Sequence, residues 1–277
     1  MTQARKLAVV GTGLMGGSFA LGARTRNLFQ AFVGIDPDPE AAQRAVALGI
    51  VDEVAQEVPA DCDAVILSGP SDGIAAWVLA LAEHPAIVVD VGSVKAGIIE
   101  AVRAELGHVP PRYVPCHPIA GRERSGPGAA DEDLFADRAV ILTPQPETSD
   151  TALEQVTFWW RSLGATPQSM DASEHDVVYA LTSHLPHVLA FAYLQQITPE
   201  HLRHGGAGFR DFSRIGGSDP EMWTAILELN KTALLPAIDA FAADLGRLRE
   251  AVAKSDFPAI HEFLADARRN RSEYKGD

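Results

Sequence analysis

Three glycines constrain the fold most: Gly11-x-Gly13-x-x-Gly16 lies between a short apolar run at 7–10 and a stretch with helical spacing at 14–26. In a βαβ unit, the first glycine of such a pattern allows a tight turn and the second lets a phosphate approach the backbone. The phosphate then lies at the helix N-terminus, where backbone N–H groups lack partners. The pattern therefore predicts a dinucleotide site. Its expected contacts are Gly11, Gly13, Leu14, Met15 and Gly16.

An acidic residue lies where such a site needs one. Asp36 follows the apolar run 31–35 and comes 20 positions after Gly16 (36 − 16). A carboxylate there accepts hydrogen bonds from the ribose hydroxyls and repels a 2′-phosphate. Because no arginine occurs from Asp36 to Glu40, NAD is favoured over NADP as the cofactor. The alternative is a glycine turn that only packs a helix against a sheet, and the strand, the helix and the acid together argue against it.

Apolar runs alternate with helical patterns through residues 1–170. Continuously apolar strands joined by helical crossovers are typical of a parallel sheet that is covered on both faces. Residues 1–170 are therefore predicted to form an α/β domain, a Rossmann-type doubly wound parallel sheet. The predicted strands are 7–10, 31–35, 64–67, 87–91, 112–115, 139–142 and 165–170, and the predicted helices include 14–26, 40–48 and 151–163.

Only helical patterns occur in residues 171–277. A helix is predicted to start at the capping residue Asp171 and to run to about residue 197. Pro186 lies inside it and should kink the helix or require local compensation. After a glycine-rich loop at 205–208, further helical stretches are predicted from 220 to 245 or beyond and from 257 to about 269. This second domain is therefore expected to be all-α.

The charge balance excludes one class of partner and constrains another. The chain carries 23 Lys+Arg against 37 Asp+Glu, a formal net charge of −14. Binding to nucleic acid needs a basic face, so no nucleic-acid partner is expected. An anionic ligand would need a site that is locally basic, built from a few arginines and helix N-termini.

The remaining composition predicts a cytoplasmic protein. No unbroken run approaches eighteen apolar residues, and the N-terminus offers no signal-peptide cleavage site, so no membrane partner is expected. The two cysteines, Cys62 and Cys116, each lie in or beside a predicted strand. Two buried thiols are therefore favoured over a disulfide, and a cysteine-based metal cluster is not expected.

Two polar residues follow predicted strands. His117 comes after the strand 112–115, and Ser93 comes after the strand 87–91. Ligands of open α/β sheets bind outside the carboxyl ends of strands, where a histidine can act as a general base and a serine can orient an alcohol. From position alone, a loop histidine held by backbone atoms is an equal alternative for His117. For Ser93 the alternative is a helix N-cap, a role that is compatible with orienting an alcohol.

Two further clusters stand in the helical half. His184 and His187 are three residues apart, so both lie near one face of the predicted helix. We interpret them as polar side chains that face the first domain rather than as metal ligands. For His184, a buried structural role is an open alternative. Arg210, Asp211 and Arg214 indicate either a guanidinium held for a carboxylate or paired charges in a surface loop. The other histidines show no pattern and are interpreted as surface or structural: His84, His108, His175, His201, His204 and His261.

Taken together, these motifs resemble those of the prephenate/arogenate dehydrogenase family over nearly the whole chain. They read GTGLMGGS at 11–18, DVGSVK at 90–95, HPIAG at 117–121, SHLPH at 183–187, DFSRI at 211–215 and SDPEMW at 218–223. The resemblance implies an NAD-binding Rossmann domain at 1–170, a helical dimerisation domain at 171–277, and an active site between them in a homodimer. It implies oxidative decarboxylation of prephenate or arogenate, giving 4-hydroxyphenylpyruvate or tyrosine in tyrosine biosynthesis.

The resemblance also implies roles for particular residues. The catalytic histidine is His117, with Ser93 as its partner, and Arg214 binds a substrate carboxylate. Expected substrate contacts are Arg214, His187, Ser183, Asp211, Trp223 and Glu123, the last of which is a gating residue in some members. Arg122 and Arg124 depart from the pattern, since many members have a small residue and a lysine there, and this leaves the recognition of the substrate tail open.

Two other classes of protein are alternatives. A β-hydroxyacid dehydrogenase relies on a lysine on the first interdomain helix, and no lysine occurs at 171–197. A non-catalytic NAD-binding sensor would not need His117, Ser93 and Arg214. An assay for NADH production with prephenate and with arogenate discriminates among the three classes.

Overall fold

The first half of the chain folds around one eight-stranded sheet. The computed structural model describes residues 5–122 and 124–274. The strands are β1 (Lys6–Val10), β2 (Ala31–Ile35), β3 (Glu53–Val54), β4 (Ala64–Leu67), β5 (Ile87–Asp90), β6 (Tyr113–Pro118), β7 (Ala139–Leu142) and β8 (Thr166–Ser169). Their order across the sheet is β3-β2-β1-β4-β5-β6-β7-β8. The pairings from β3 to β6 are parallel, β7 pairs antiparallel with β6, and β8 is parallel to β7.

Helices cover this sheet and make up the second half of the chain. Those of the first half are α1 (Leu14–Thr25), α2 (Pro39–Ala47), α3 (Ser71–Ala80), α4 (Ala96–Leu106) and α5 (Asp150–Ser162). Those of the second half are α6 (Ala172–Tyr179), α7 (Leu185–Leu194), α8 (Pro199–Leu202), α9 (Ala207–Arg214), α10 (Pro220–Leu229), α11 (Lys231–Ala253) and α12 (Phe257–Glu273). The predicted fold class, a doubly wound α/β domain followed by an all-α domain, is confirmed.

Both faces of the sheet are buried, which explains why its strands are continuously apolar. Along β1, Leu7 and Val9 point into one core while Ala8 and Val10 point into the other. The first core includes an aromatic group made by α1 and α5, in which the Phe19 and Trp160 rings meet edge to face at 5.1 Å. Alternation along a strand with apolar residues on both faces requires helices on both sides, as in a parallel sheet.

Pro186 is accommodated by a local change of helix type. A π-helical turn, Ala180–His184, lies between α6 and α7, and α7 begins at Leu185. A proline ring clashes with the carbonyl four residues earlier, here Thr182, which belongs to the wider π turn. The expected compensation is therefore a π turn that keeps α6 and α7 in one continuous helical stretch.

One local expectation for the helical half was wrong. Part of the region predicted as a glycine-rich loop forms a helix, α9, although Gly208 disfavours one; α9 is only eight residues long. The helical stretches expected from 220 to 245 or beyond are confirmed as two helices, α10 and α11, which are separated at Asn230. The Asn230 side chain is buried and bonds within the core described below, so the break has a structural use.

One helical stretch is long and apolar enough, by length and composition alone, to cross a bilayer. It is Ala172–Leu194, with a mean hydropathy of 1.3. It has no unbroken apolar run of that length because Asp176 and three histidines interrupt it. His175, Asp176 and His184 are buried and hydrogen-bonded within the protein, which marks the stretch as a helix that joins the two domains.

Both cysteines are buried free thiols, as expected. Burial raises the pKa of Cys62 to about 11 and that of Cys116 to about 12. Neither thiol is therefore ionised near neutral pH, and both act as core residues.

Candidate active site

The glycine turn after β1 has the backbone that its sequence predicts. Gly11 adopts φ +85°, and a Cβ there would lie 2.8 Å from the backbone of Ser68 and Gly69. A Cβ on Gly16 would overlap the carbonyl oxygen of Gly11, so α1 can pack this closely only with glycine. Both positions therefore require glycine for steric reasons.

Gly13 presents an open helix N-terminus. It is the N-cap of α1, no side chain caps it, and a Cβ placed there would have only Gly126 backbone atoms nearby, at 4.0 Å. The first N–H groups of a helix carry a partial positive charge and bind phosphate readily. This end of α1, flanked by Leu14 and Met15, fits the pyrophosphate of a dinucleotide.

Asp36 is held in place by the same turn. Its Oδ2 accepts hydrogen bonds from the Thr12 N–H at 2.8 Å and from the Thr12 hydroxyl at 2.9 Å, and its Oδ1 accepts one from the Asp38 N–H at 3.1 Å. An ionised carboxylate has about four acceptor positions, so a ribose diol can still bind. The group is thus oriented at the end of β2, where an adenosine ribose would lie.

Asp36→Ala is expected to relax the choice between NAD and NADP. Removing the carboxylate removes both the hydrogen bonds to the ribose diol and the repulsion of a 2′-phosphate. The measurement is kcat/KM with each cofactor for the wild type and the variant, with Asp61→Ala as a control for an exposed aspartate elsewhere. A wild type that used NADP as well as NAD would contradict the assignment.

His117 lies within a strand, although the sequence predicted that the strand would end at Pro115. Residues 116–118 continue β6 because β7 pairs antiparallel with them, His117 opposite Ile141. The parallel neighbour β5 ends earlier, at Asp90 opposite Pro115. His117 therefore lies beyond the carboxyl end of β5, at the edge of the sheet where ligands of this fold bind.

A buried histidine holds the ring of His117. The Nδ1 atom of His117 lies 2.8 Å from Nε2 of His175, and Nδ1 of His175 lies 2.7 Å from Oδ1 of Asp176. His175 was interpreted as surface or structural; it is fully buried and contacts the candidate base. In the sequence, the adjacent His–Asp pair in the first turns of α6 could have indicated this role of His175.

Asp176 also joins the two domains. Its Oδ1 accepts a hydrogen bond from the Lys95 N–H and its Oδ2 one from the Ala96 N–H, both at 2.9 Å, at the start of α4. Ser93 is therefore not the cap of this helix. The Ser93 hydroxyl makes no hydrogen bond with any residue that the structure describes, which leaves it available to a ligand.

A buried ion pair lies beneath this site. Lys95 and Asp90 are both fully buried and paired, and the Lys95 ammonium also donates to the Cys116 carbonyl at 2.8 Å. The Tyr113 hydroxyl donates to Asp90 at 2.7 Å. Burial and the Asp90 charge raise the Tyr113 pKa well above its usual value, so the phenol stays protonated and remains a donor.

Electrostatics keep the site histidines neutral. Burial lowers the His117 pKa well below 6.5, and repulsion from His175 and His184 when these are protonated, and from the Lys95 ammonium, lowers it further. Burial also lowers the His175 pKa, although Asp176 opposes this. A neutral imidazole has an unprotonated nitrogen that can accept a proton, so His117 is ready to act as a base at neutral pH.

His184 and His187 contact the same tryptophan. The His187 ring stacks on Trp223 with centroids 3.8 Å apart, and its Nδ1 donates to the Ser183 carbonyl at 2.8 Å. His184 is buried, its Nδ1 accepts from Asn230 at 2.9 Å, and its ring lies 5.9 Å from Trp223. His184 is thus a core histidine that is hydrogen-bonded within the protein. His187 is half-buried, and its Nε2 is available for a hydrogen bond to another partner.

The stability of the fold is expected to fall on acidification because of His184. Burial lowers its pKa from 6.5 to about 4, so the folded state binds fewer protons than the unfolded state between these values. Its contribution is fully present above pH 6.5 and is lost as the pH falls toward 4; the loss from pH 7 to pH 5 is about 2 kcal/mol. Urea unfolding at both pH values measures it, and His184→Gln should reduce the difference whereas exposed His261→Gln should not.

The arginines of α9 lie at the surface. Arg214 is the last residue of α9 and is exposed. Its positive charge lowers the pKa of His187, so Arg214 lies on the same side of the site as α7. Asp211 is exposed as well, and it forms no ion pair with Arg214 within the described part of the chain. An exposed pair gains little against side-chain entropy. Glu123 lies outside the described residues.

The loop after His117 carries the unusual arginines. Arg122 forms an ion pair with Asp131, and Arg124 is exposed. A cavity of about 310 Å³ lies against this loop; the residues that line it are Ile119, Ala120, Gly121, Arg122, Asp133, Leu134, Ala136 and Arg138. Within residues 5–122 and 124–274, no group of three or more His, Cys, Asp or Glu side chains is arranged to hold a metal.

Family models match almost the whole chain. The nucleotide-binding domain of prephenate dehydrogenase matches residues 19–168, and the dimerization domain of prephenate dehydrogenase matches residues 171–266. A cyclohexadienyl dehydrogenase of Zymomonas mobilis subsp. mobilis is 34% identical, with 100% of this chain and 98% of that protein aligned.

Solved structures agree with this match. A prephenate dehydrogenase from A. aeolicus, in complex with hydroxyphenyl propionate and NAD+, superimposes with a TM-score of 0.89 at 35% identity, covering 98% of this chain and 99% of that one. An arogenate dehydrogenase from Synechocystis superimposes with a TM-score of 0.80 at 29% identity, covering 97% and 99%. The chain belongs to the prephenate dehydrogenase family.

Proposed function

We propose that this protein catalyses the NAD-dependent oxidative decarboxylation of prephenate, arogenate or both, in the cytoplasm, as a step of tyrosine biosynthesis. The observation that carries the proposal is His117: a neutral imidazole at the carboxyl edge of the sheet, on the same edge as the glycine turn that fits a dinucleotide. The family and the named relatives support the substrate class, and the NAD+ bound by the A. aeolicus relative supports the cofactor.

His117 is the base in this proposal. The substrate is a cyclohexadienol with a carboxylate on the ring carbon opposite the hydroxyl carbon. NAD, when bound, supplies the hydride acceptor. Nε2 of His117 takes the hydroxyl proton as the carbon–hydrogen bond at the same carbon breaks, its electron pair leaving as hydride, and the carbon–oxygen double bond forms. The bond to the ring carboxylate then breaks, its electrons complete the aromatic ring, carbon dioxide leaves, and the phenolate oxygen takes the proton back from His117.

The other predicted residues are assigned to binding. Ser93, with its hydroxyl not engaged by described residues, orients the substrate hydroxyl toward His117. Arg214 binds a carboxylate of the substrate, which is required because the protein is acidic overall. His187, Ser183, Trp223 and Asp211 shape the wall on the helical side, and the stacked pair of His187 and Trp223 gives that wall a fixed orientation.

The proposal is tested by following NADH formation with purified protein, NAD, and either prephenate or arogenate. Formation of NADH with at least one of them supports the proposal, and the ratio of the two kcat/KM values gives the preference for a keto or an amino side chain. No NADH with either substrate, in protein that is folded and binds NAD, would contradict it.

We further propose that the helical domain, residues 171–277, forms a homodimer. Of the sixteen large apolar side chains that are exposed among the described residues, thirteen lie in this domain. The most exposed of them are Phe257, Tyr274, Val252, Leu235, Leu264, Leu181 and Leu245. Apolar surface of this kind is usually covered in an obligate dimer, and the match to a dimerization domain supports this.

Light scattering is therefore expected to give a mass of twice 29.6 kDa at micromolar concentration. Leu181→Lys and Leu264→Lys place a charge on the exposed apolar surface and should weaken the dimer, whereas Val54→Lys, on the sheet domain, should leave it intact. A monomer in the wild type would contradict the proposal.

A further inference from the structure

Three side chains form a linear chain of hydrogen bonds that ends at the candidate base. It runs from the Asp176 carboxylate to His175 and from His175 to His117, over distances of 2.7 Å and 2.8 Å. Asp176 and His175 lie on α6 of the helical domain, and His117 lies on β6 of the sheet domain. The base is thus held by a residue of the other domain.

The hydrogen-bond polarity of this chain has one consistent solution. The oxygens of Asp176 already accept from the N–H groups of Lys95 and Ala96, so the carboxylate acts as an acceptor and Nδ1 of His175 must donate to it. A neutral His175 then has an unprotonated Nε2, which must accept. The proton between the two imidazoles therefore belongs to Nδ1 of His117, and Nε2 of His117 is left unprotonated.

A charged His175 would reverse this result. A protonated Nε2 on His175 would donate to Nδ1 of His117. The proton of neutral His117 would then lie on its Nε2, and Nε2 could not accept a proton from the substrate. Full burial of His175 disfavours this charged form. Burial therefore matters for the proton position as well as for packing.

Packing fixes the orientation of both rings. The Tyr179 ring contacts His117 edge to face at 4.7 Å and His175 at 4.5 Å between centroids. The two imidazoles meet at 66° with centroids 5.0 Å apart. Neither ring can rotate without losing these contacts, so the direction of the His117 Nε2 lone pair is fixed along with its proton.

From this geometry we propose that His175 and Asp176 are positioning residues, which place the proton of His117 on Nδ1 and keep Nε2 free to take up the substrate hydroxyl proton. The inference rests on the proposed role of His117 as the base. A free neutral histidine prefers the opposite tautomer, with its proton on Nε2, so the protein must supply this bias. An acid that orients a base histidine through its other nitrogen serves the same purpose in hydrolases.

The test acts on His175, because substitutions of Asp176 would also remove the cap of α4. In His175→Gln, the amide oxygen can accept from His117 and the amide N–H can donate to Asp176, which reproduces the polarity of the chain. In His175→Phe, the ring volume is kept and both hydrogen bonds are lost. His84→Gln, at a histidine bonded to Pro59 in the sheet domain, controls for the substitution itself.

The first measurement is the ¹⁵N NMR spectrum of the histidine rings, with His117 assigned by its loss in His117→Asn. The wild type and His175→Gln should show the His117 proton on Nδ1, and His175→Phe should show it mainly on Nε2. A wild-type His117 with its proton on Nε2 overturns the proposal, even if both His175 variants fail to fold. This measurement needs no substrate, so it is independent of the proposed function.

The second measurement is steady-state kinetics. The His175→Phe enzyme should lose about 10- to 100-fold in kcat, while its KM for substrate and its affinity for NAD change little; His175→Gln should recover most of the loss. An equal loss in the Phe and Gln variants, or wild-type kcat in His175→Phe, overturns the proposal. If the wild type forms no NADH, the proposed function fails instead.

Discussion

Replacing His117 with asparagine is expected to lower kcat by about two to four powers of ten, the range for loss of a general base. Asparagine keeps a polar group of similar reach, and its amide nitrogen cannot take up a proton. The hydrogen-bond partner His175 and the buried ion pair of Lys95 and Asp90 remain in place, so the fold should be unaffected. Steady-state rates for wild type and variant measure the effect.

The affinity for NAD serves as the control for this substitution, since the glycine turn and Asp36 are untouched and the affinity should be unchanged. The pH profile of the wild type gives a second check. Because burial lowers the His117 pKa, the base is neutral above that lowered value and activity is lost only as the pH falls through it. The acid limb of kcat/KM should therefore lie well below pH 6.5, and near-normal turnover in His117→Asn would remove this residue from the mechanism.

Arg214→Lys is expected to raise the KM for substrate nearly as much as Arg214→Ala does. A guanidinium forms a bidentate pair with a carboxylate, and a lysine ammonium cannot reproduce that geometry. Loss of such a pair in a closed cleft costs about 2–5 kcal/mol. Arg214 is exposed in the protein without substrate, so the lower end applies, about 2 kcal/mol or about 30-fold in KM.

The effect should fall on the substrate KM and leave the KM for NAD unchanged, because Arg214 belongs to the helical domain. Arg161→Ala, at an exposed arginine on α5, is the matched control and should change neither value. An Arg214→Ala enzyme with a wild-type substrate KM would show that the carboxylate is bound elsewhere, with Arg210 and Arg122 as the next candidates.

The sheet could be predicted from the sequence because its strands are apolar on both faces. Leu7–Val10 and Ala64–Leu67 lie in two cores at once, and that burial produces unbroken apolar runs. The glycine turn was predictable for steric reasons, since Gly11 requires a positive φ. Both features depend on residues close together in the chain.

The hydrogen bonds that link Asp176, His175 and His117 could not be predicted in the same way. His175 and His117 are 58 positions apart, and their contact depends on how α6 packs on the sheet. The length of β6 was underestimated because the extension comes from antiparallel pairing with β7, a tertiary effect. Helix α9 could not be predicted because it is only eight residues long and has glycines before it and inside it, so its apolar spacing covers little more than two turns.

The central claim, that oxidation and decarboxylation occur together at His117, is tested most directly by counting products. Prephenate or arogenate labelled in the ring carboxylate is incubated with enzyme and NAD, and released carbon dioxide is compared with NADH. We expect one carbon dioxide for each NADH with the wild type, and a parallel loss of both products with His117→Asn. NADH without carbon dioxide, or carbon dioxide released at an unchanged rate by His117→Asn, would contradict it.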